Sequence, residues 1–118
     1  MTSIVKELAE WTKANAASLV SRGVQVRERF PEPNSMYPWT AGIGLVYDEI
    51  LVSFTVWERT VLQTELIIMN AKTGKTVVVD DKTPSIASLI RIDLDDVVQK
   101  LLSGYYRGIA PDPKLVIS

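Results

Sequence analysis

Four segments of this chain alternate apolar and polar residues with a period of two, a fifth follows a clear turn, and most are joined by turns too short for a crossover helix. In the first, Val24, Val26 and Phe30 fall on one side and Gln25, Arg27 and Arg29 on the other, with Glu28 intruding on the apolar face. In the second, Trp39, Ala41, Ile43, Leu45 and Tyr47 alternate with Thr40, Gly42, Gly44 and Val46. Ile50, Val52, Phe54 and Val56 oppose Leu51, Ser53, Thr55 and Trp57 in the third, and Leu62, Leu66 and Ile68 oppose Gln63 and Glu65 in the fourth. Thr76 to Asp80 is the fifth. Such alternation is the mark of half-buried strands, and short connections make consecutive strands antiparallel neighbours. Asp48-Glu49 reads as a tight hairpin, although neither residue is the glycine such turns favour, and Asn70 to Lys75 reads as a second turn. Pro31, Pro33, Asn34, Ser35 and Pro38 keep the first two strands apart by a loop.

Two amphipathic helices flank these strands. From Ser3 to about Arg22, Ile4, Leu8, Trp11 and Leu19 form an apolar stripe interrupted by Asn15; Thr2 or Ser3 can cap it, and Gly23 can close it. The second is expected to start at Asp93 as its cap, with Asp96 three residues on, to bury Leu94, Val97, Val98, Leu101 and Leu102, and to end at Gly104. Ile86 to Ile92 reads either as a short helical turn or as an extended connector. The expected fold class is α+β: an N-terminal helix, an about five-stranded, mostly antiparallel meander and a C-terminal helix, with both helices on one face. One domain spans residues 1–104, and the tail 105–118, with Pro111 and Pro113, lies along the body or is loose.

A length of 118 residues suits one domain with a real core. Thirteen basic and fourteen acidic residues give a net charge of −1, so no basic excess suggests direct nucleic-acid binding. The sequence has no cysteine and no histidine, which removes disulfides, thiolates, the usual neutral-pH proton shuttle and the common zinc ligands. Lys6, Glu7 and Glu10 interrupt any signal-peptide core, and no apolar run reaches the ~20 residues that span a bilayer. A cytoplasmic protein with no membrane association and no cofactor is expected.

Catalytic apparatus is not legible. Gly42-Ile43-Gly44 lies within a strand and lacks the third glycine and helix of a dinucleotide loop; small residues that let neighbours pack closely explain it better. The carboxylate pairs Asp48–Glu49, Asp80–Asp81 and Asp95–Asp96 are adjacent in sequence and so point apart, which suits solvated turns better than an acid/base pair or a Mg²⁺ site. An aspartate or glutamate in an apolar pocket would permit a small enzyme, and Glu28 is the inward-facing candidate: either a buried group or one at a strand end in water.

Binding is the stronger reading. The sheet face away from the helices would carry Arg27, Arg29, Thr55, Trp57 and Glu65, a tryptophan between opposite charges. The plainer alternative is a solvated face, with Trp57 packed under the C-terminal tail. Tyr37 is a second possible anchor, while Trp39 belongs to the inward alternation and Trp11 to the helix stripe. A nuclease as partner would use the turn acids Asp48, Glu49, Asp80 and Asp81 against its basic cleft.

Several segments resemble a known family. A helix with Trp11 and Asn15 closing on Gly23, the strand start Val24-Gln25-Val26, the segment Phe54-Thr55-Val56-Trp57-Glu58 and the Thr73-Gly74 hairpin resemble the TriTu family of bacterial immunity proteins, found with polymorphic toxins and contact-dependent growth inhibition systems. The likeness covers roughly residues 5–103. It implies an antitoxin that binds the C-terminal toxin domain of a cognate effector, as a monomer in a 1:1 complex. A small secretion chaperone binding an effector protein is the alternative, and it should be dimeric with a long apolar groove.

Overall fold

Serine opens the first helix. The Ser3 hydroxyl accepts a hydrogen bond from the Lys6 amide at 3.0 Å, satisfying one of the free N–H groups of α1 (Ile4–Ser21). The Ile4 amide donates to Glu58 Oε2 at 3.3 Å, at the end of β3 (Ile50–Glu58), which ties the helix start to the sheet. The helix closes on Gly23 at φ +89°, with the Gly23 amide donating to the Val20 carbonyl and the Val24 amide to that of Leu19. Leu19 and Val24 are both buried, so this Schellman turn also delivers the chain to the core side of the sheet. The computed structural model describes residues 3–32, 34–36 and 39–109.

The sheet is a five-stranded antiparallel meander in the order β1 (Gln25–Arg29), β2 (Thr40–Tyr47), β3, β4 (Leu62–Asn70) and β5 (Lys75–Lys82). Tyr47 pairs with Ile50 across the two-residue turn Asp48–Glu49, in which Asp48 takes φ +57°. Aspartate is one of the few residues other than glycine that visit this region, which is why the turn forms without one. Between β4 and β5, the Asn70 side-chain oxygen accepts from the Lys72 and Thr73 amides at 2.9 and 3.2 Å, and Gly74 supplies φ +70°. A bulge then interrupts the ladder: Ile68 pairs with Val78 but Met69 with Thr76, leaving Val77 extra and buried.

One face of the sheet makes the core. Ala41, Ile43, Leu45, Val52, Phe54, Val56 and Ile68 meet Ile4, Leu8, Trp11 and Leu19 of α1 and Ile90, Leu94, Val97 and Leu101 of α2 (Ile90–Ser103). The α+β architecture, with both helices on one side of the meander, is therefore the one expected from the alternation. The helices run in the same sense: Glu7 and Glu10 pair with Arg91, and one turn on, Trp11 Nε1 donates to Asp95 Oδ1 at 2.9 Å. Asn15 breaks the apolar stripe because its amide donates to the Trp11 carbonyl. Among the described residues no helix is long and apolar enough to cross a membrane.

Four details depart from, or resolve, the sequence expectations. The second helix begins at Ile90, not Asp93, because a 3₁₀ turn at Ala87–Leu89 runs straight into it and starts the helical geometry early. Asp93 lies in its first turn and accepts from Lys82 at 3.2 Å instead of capping. Trp39 is only half-buried, with the Arg59 guanidinium 5.4 Å from its ring centre. The start of the tail is not loose: Tyr105–Gly108 forms a 3₁₀ turn that sends Tyr106 into the core and lets Arg107 pair with Asp48. Residues 110–118 lie outside the described residues.

Burial pushes the Tyr106 hydroxyl up to about 12, from an ordinary value near 10. The neutral phenol is thus favoured in the folded chain, and its contribution, complete below pH ~10, is lost as pH rises toward 12. Tyr106→Phe should flatten the alkaline fall in stability between pH ~10 and ~12 in urea titrations. Phe54→Ala, at the centre of the core, should cost about 3–5 kcal/mol by the same measurement.

Candidate functional site

The opposite face of the sheet has no helix over it among the described residues, and the ladder registers fix what it presents. Reading across the strands, one line runs Arg29, Gly42, Thr55, Glu65, Asp81. The next runs Arg27, Gly44, Ser53, Ile67, Val79, and the one nearest the Asp48–Glu49 turn runs Gln25, Val46, Leu51, Met69, Thr76. Thr40, Trp57 and Gln63 form a line at the other end.

A glycine on β2 makes room for an arginine on β1. A Cβ on Gly42 would sit 2.6 Å from Arg29 Nη2, because that guanidinium crosses over the glycine to Ser53 Oγ and Thr55 Oγ1, both at 3.4 Å. At Gly44 a Cβ would meet only ordinary contacts, 3.6 Å from Arg27 Cβ and 3.7 Å from the Val52 carbonyl oxygen. Gly42 therefore serves a close approach of a side chain, and both glycines lie within β2.

Charge is divided across this face. Arg27 and Arg29 occupy the β1 flank, while Glu65 and Asp81 stand directly opposite each other on β4 and β5. Like charges facing across a ladder repel, and none of these four residues is in an ion pair among the described residues. Between the flanks lie Val46, Leu51, Ile67 and Met69, half-buried, and Val79, which is 43% exposed.

Of the residues singled out from sequence, Arg27, Arg29, Thr55, Trp57, Glu65 and Asp81 are brought to this one face. The turn acids are not gathered together. Asp48 and Glu49 stand at the end of the sheet occupied by Asn70, five residues along β4 from Glu65 and its partner Asp81, or roughly 17 Å at the usual strand rise. Asp48 is paired with Arg107, and Asp80 points to the helix side and pairs with Lys82 at 3.6 Å. Tyr37 lies outside the described residues. Glu28 does occupy the helix side, opposite Ile43, but β1 is an edge strand and leaves it exposed, so the apolar pocket an inward carboxylate would need is not there.

Comparison with family models, with curated proteins and with solved structures finds no match to this chain.

Two features were missed in the sequence. The outward apolar residues of β4 and β5 read simply as strand hydrophobes, although the unbroken runs Leu66–Met69 and Val77–Val79 carry the signal of strands covered on both faces. The second is Glu7, a carboxylate 6% exposed in the first turn of α1. It lines a groove of about 990 Å³ between the β3–β4 turn and the connector from Thr83 to Ser88, beside Glu58 and Arg59. Arg91 holds Glu7 and Glu58 holds the Ile4 amide, so both carboxylates are engaged in joining elements. Among the described residues no group of three or more His, Cys, Asp or Glu side chains could hold a metal ion.

Because Glu7 is buried and Arg91 half-exposed, removing the arginine should strand a carboxylate. Arg91→Ala should lower stability in urea unfolding, and Glu7→Gln added to it should recover most of the loss.

Proposed function

We propose that this chain is an immunity protein, an antitoxin that neutralises the C-terminal toxin domain of a cognate effector by binding it in a 1:1 complex through the open sheet face. The observation that carries this is the combination on that face of outward apolar residues on β4 and β5 with charges on both flanks that are in no ion pair among the described residues. A solvated face has no need of Leu51, Ile67, Met69 and Val79 in one patch, whereas a recognition surface has an apolar centre and a charged rim. The rim suits specificity. Arg27 and Arg29 on one side and Glu65 and Asp81 on the other reject a partner with the wrong charge order. Inhibition by occlusion asks for no chemistry from the antitoxin, which suits a chain without cysteine or histidine. The resemblance to the TriTu immunity proteins points the same way, and a cytoplasmic location follows from the reading.

The secretion-chaperone alternative has one observation in its favour, the end groove, whose rim carries Val61 and Ile86, 52% and 57% exposed. A chaperone would hold an unfolded client there, while an antitoxin holds a folded domain on the sheet.

Inducible expression of a toxin domain encoded beside this chain should kill cells that lack it and spare cells that carry it, with a stoichiometric complex on purification. Arg27→Glu with Arg29→Glu should weaken that complex about tenfold or more, whereas reversing Glu49 at the far turn should leave it unchanged. Death in both cultures without a complex overturns the antitoxin reading. Protection that ignores the arginine reversals overturns the assignment to the open face.

A further inference from the structure

We infer that the free chain covers its open sheet face with a second copy of itself, as a face-to-face dimer whose two-fold axis lies along the central strand β3. The argument starts from the position of the charges. With five strands in sequential order, β3 is the midline, and β1 and β5 are equidistant from it, as are β2 and β4. Two sheets stacked face to face with their strands aligned can be related by a two-fold axis in the interface plane, running close to the strand direction or across it. An axis across the strands lays β1 on β1 and β5 on β5, which sets arginines against arginines and acids against acids. An axis along β3 lays β1 over the other copy's β5 and β2 over its β4. Charge selects the second arrangement.

Line by line, the match then extends beyond charge. Arg29 meets Asp81 of the second copy, and Glu65 comes over the trough at Gly42, where the Arg29 guanidinium already lies. Ile67 comes over Gly44 and Met69 over Val46, while Arg27 lies over Val79. Leu51, Thr55 and Trp57 lie on β3 and so meet their own counterparts at the axis. The ridge on β4 and the depression on β2 are thus complementary halves of one surface. The repulsion between Glu65 and Asp81, which no ion pair among the described residues of one copy relieves, is relieved by an arginine from the other.

The area fits a reversible dimer. Five strands at the usual spacing and eight residues at the usual rise give a face of roughly 600 Å² per copy. The roughly 1,200 Å² buried in total lies at the lower edge of stable interfaces. Self-association would therefore be concentration-dependent, and a tighter partner for the same face would displace it. The dimer does not rest on the antitoxin reading: it requires no toxin, and its test uses the isolated full chain.

Sedimentation equilibrium from roughly 1 to 200 µM should show the mass climb from 13.1 kDa toward twice that value. Arg29→Glu alone and Asp81→Lys alone should each remain monomeric, because each sets like charges against each other twice in the dimer. An equimolar mixture of the two should dimerise again, since each copy then supplies what the other lacks. Both positions are exposed, so circular dichroism should report unchanged folds. Leu51→Lys, a lysine facing its own copy at the axis, should also abolish the dimer. A monomer across the whole concentration range, or a dimer indifferent to these variants, overturns the proposal. Variants that lose the dimer without recovery on mixing overturn the axis along β3.

Discussion

The pairing of Tyr47 with Ile50 across two residues is the constraint on which the rest of the molecule depends. Side chains in a strand change face at every residue, so a slip of one position in that hairpin would turn Ile43, Leu45, Val52 and Phe54 to solvent and glycines into the core. The left-handed conformation of Asp48 holds the turn at two residues. Once β2 and β3 are registered, β1 and β4 take their positions on either side. The arginines of β1 arrive over the glycines of β2, and Glu65 arrives beside Thr55.

The second determinant is that both helices pack from one side. The contacts from Glu7 and Glu10 to Arg91 and from Trp11 to Asp95 lock α1 and α2 against each other, so neither is free to reach the other face of the sheet. Each interaction is modest alone. A half-exposed ion pair contributes little, and the helix–helix arrangement is held chiefly by the apolar stripe beneath it. The result is a sheet with a packed side and an outward side whose composition is not that of a solvated surface.

Most of this was legible before the structure. Period-two alternation identified the first four strands and their faces, because that period follows from backbone geometry and needs no tertiary information, while the fifth was placed only by the turn before it. Ser3 and Gly23 gave the ends of the first helix for the same reason. The start of the second was misplaced because Asp93 has the chemistry of a cap, and only the packing of Ala87 and Ile90 shows that the chain is already helical before it. Tyr106 could not be read as core, since a turn, not a period, brings it in. For the site, the charged and aromatic members were recognised individually, but not their order across the sheet. That order depends on strand sequence and register together, and a residue such as Ile67 looks the same whether it faces a helix or the outside.

The bulge at Val77 has one more consequence, for the edges. β5 offers a row of backbone groups that another strand could join, yet the extra residue breaks its regularity, and Asp80, Asp81 and Lys82 crowd its last turn of ladder with charge. At the opposite edge, β1 is five residues long and carries Arg27, Glu28 and Arg29 in succession. Lateral addition of strands is discouraged at both ends, so a chain with two unbroken apolar strand segments is protected against open-ended fibrillar growth.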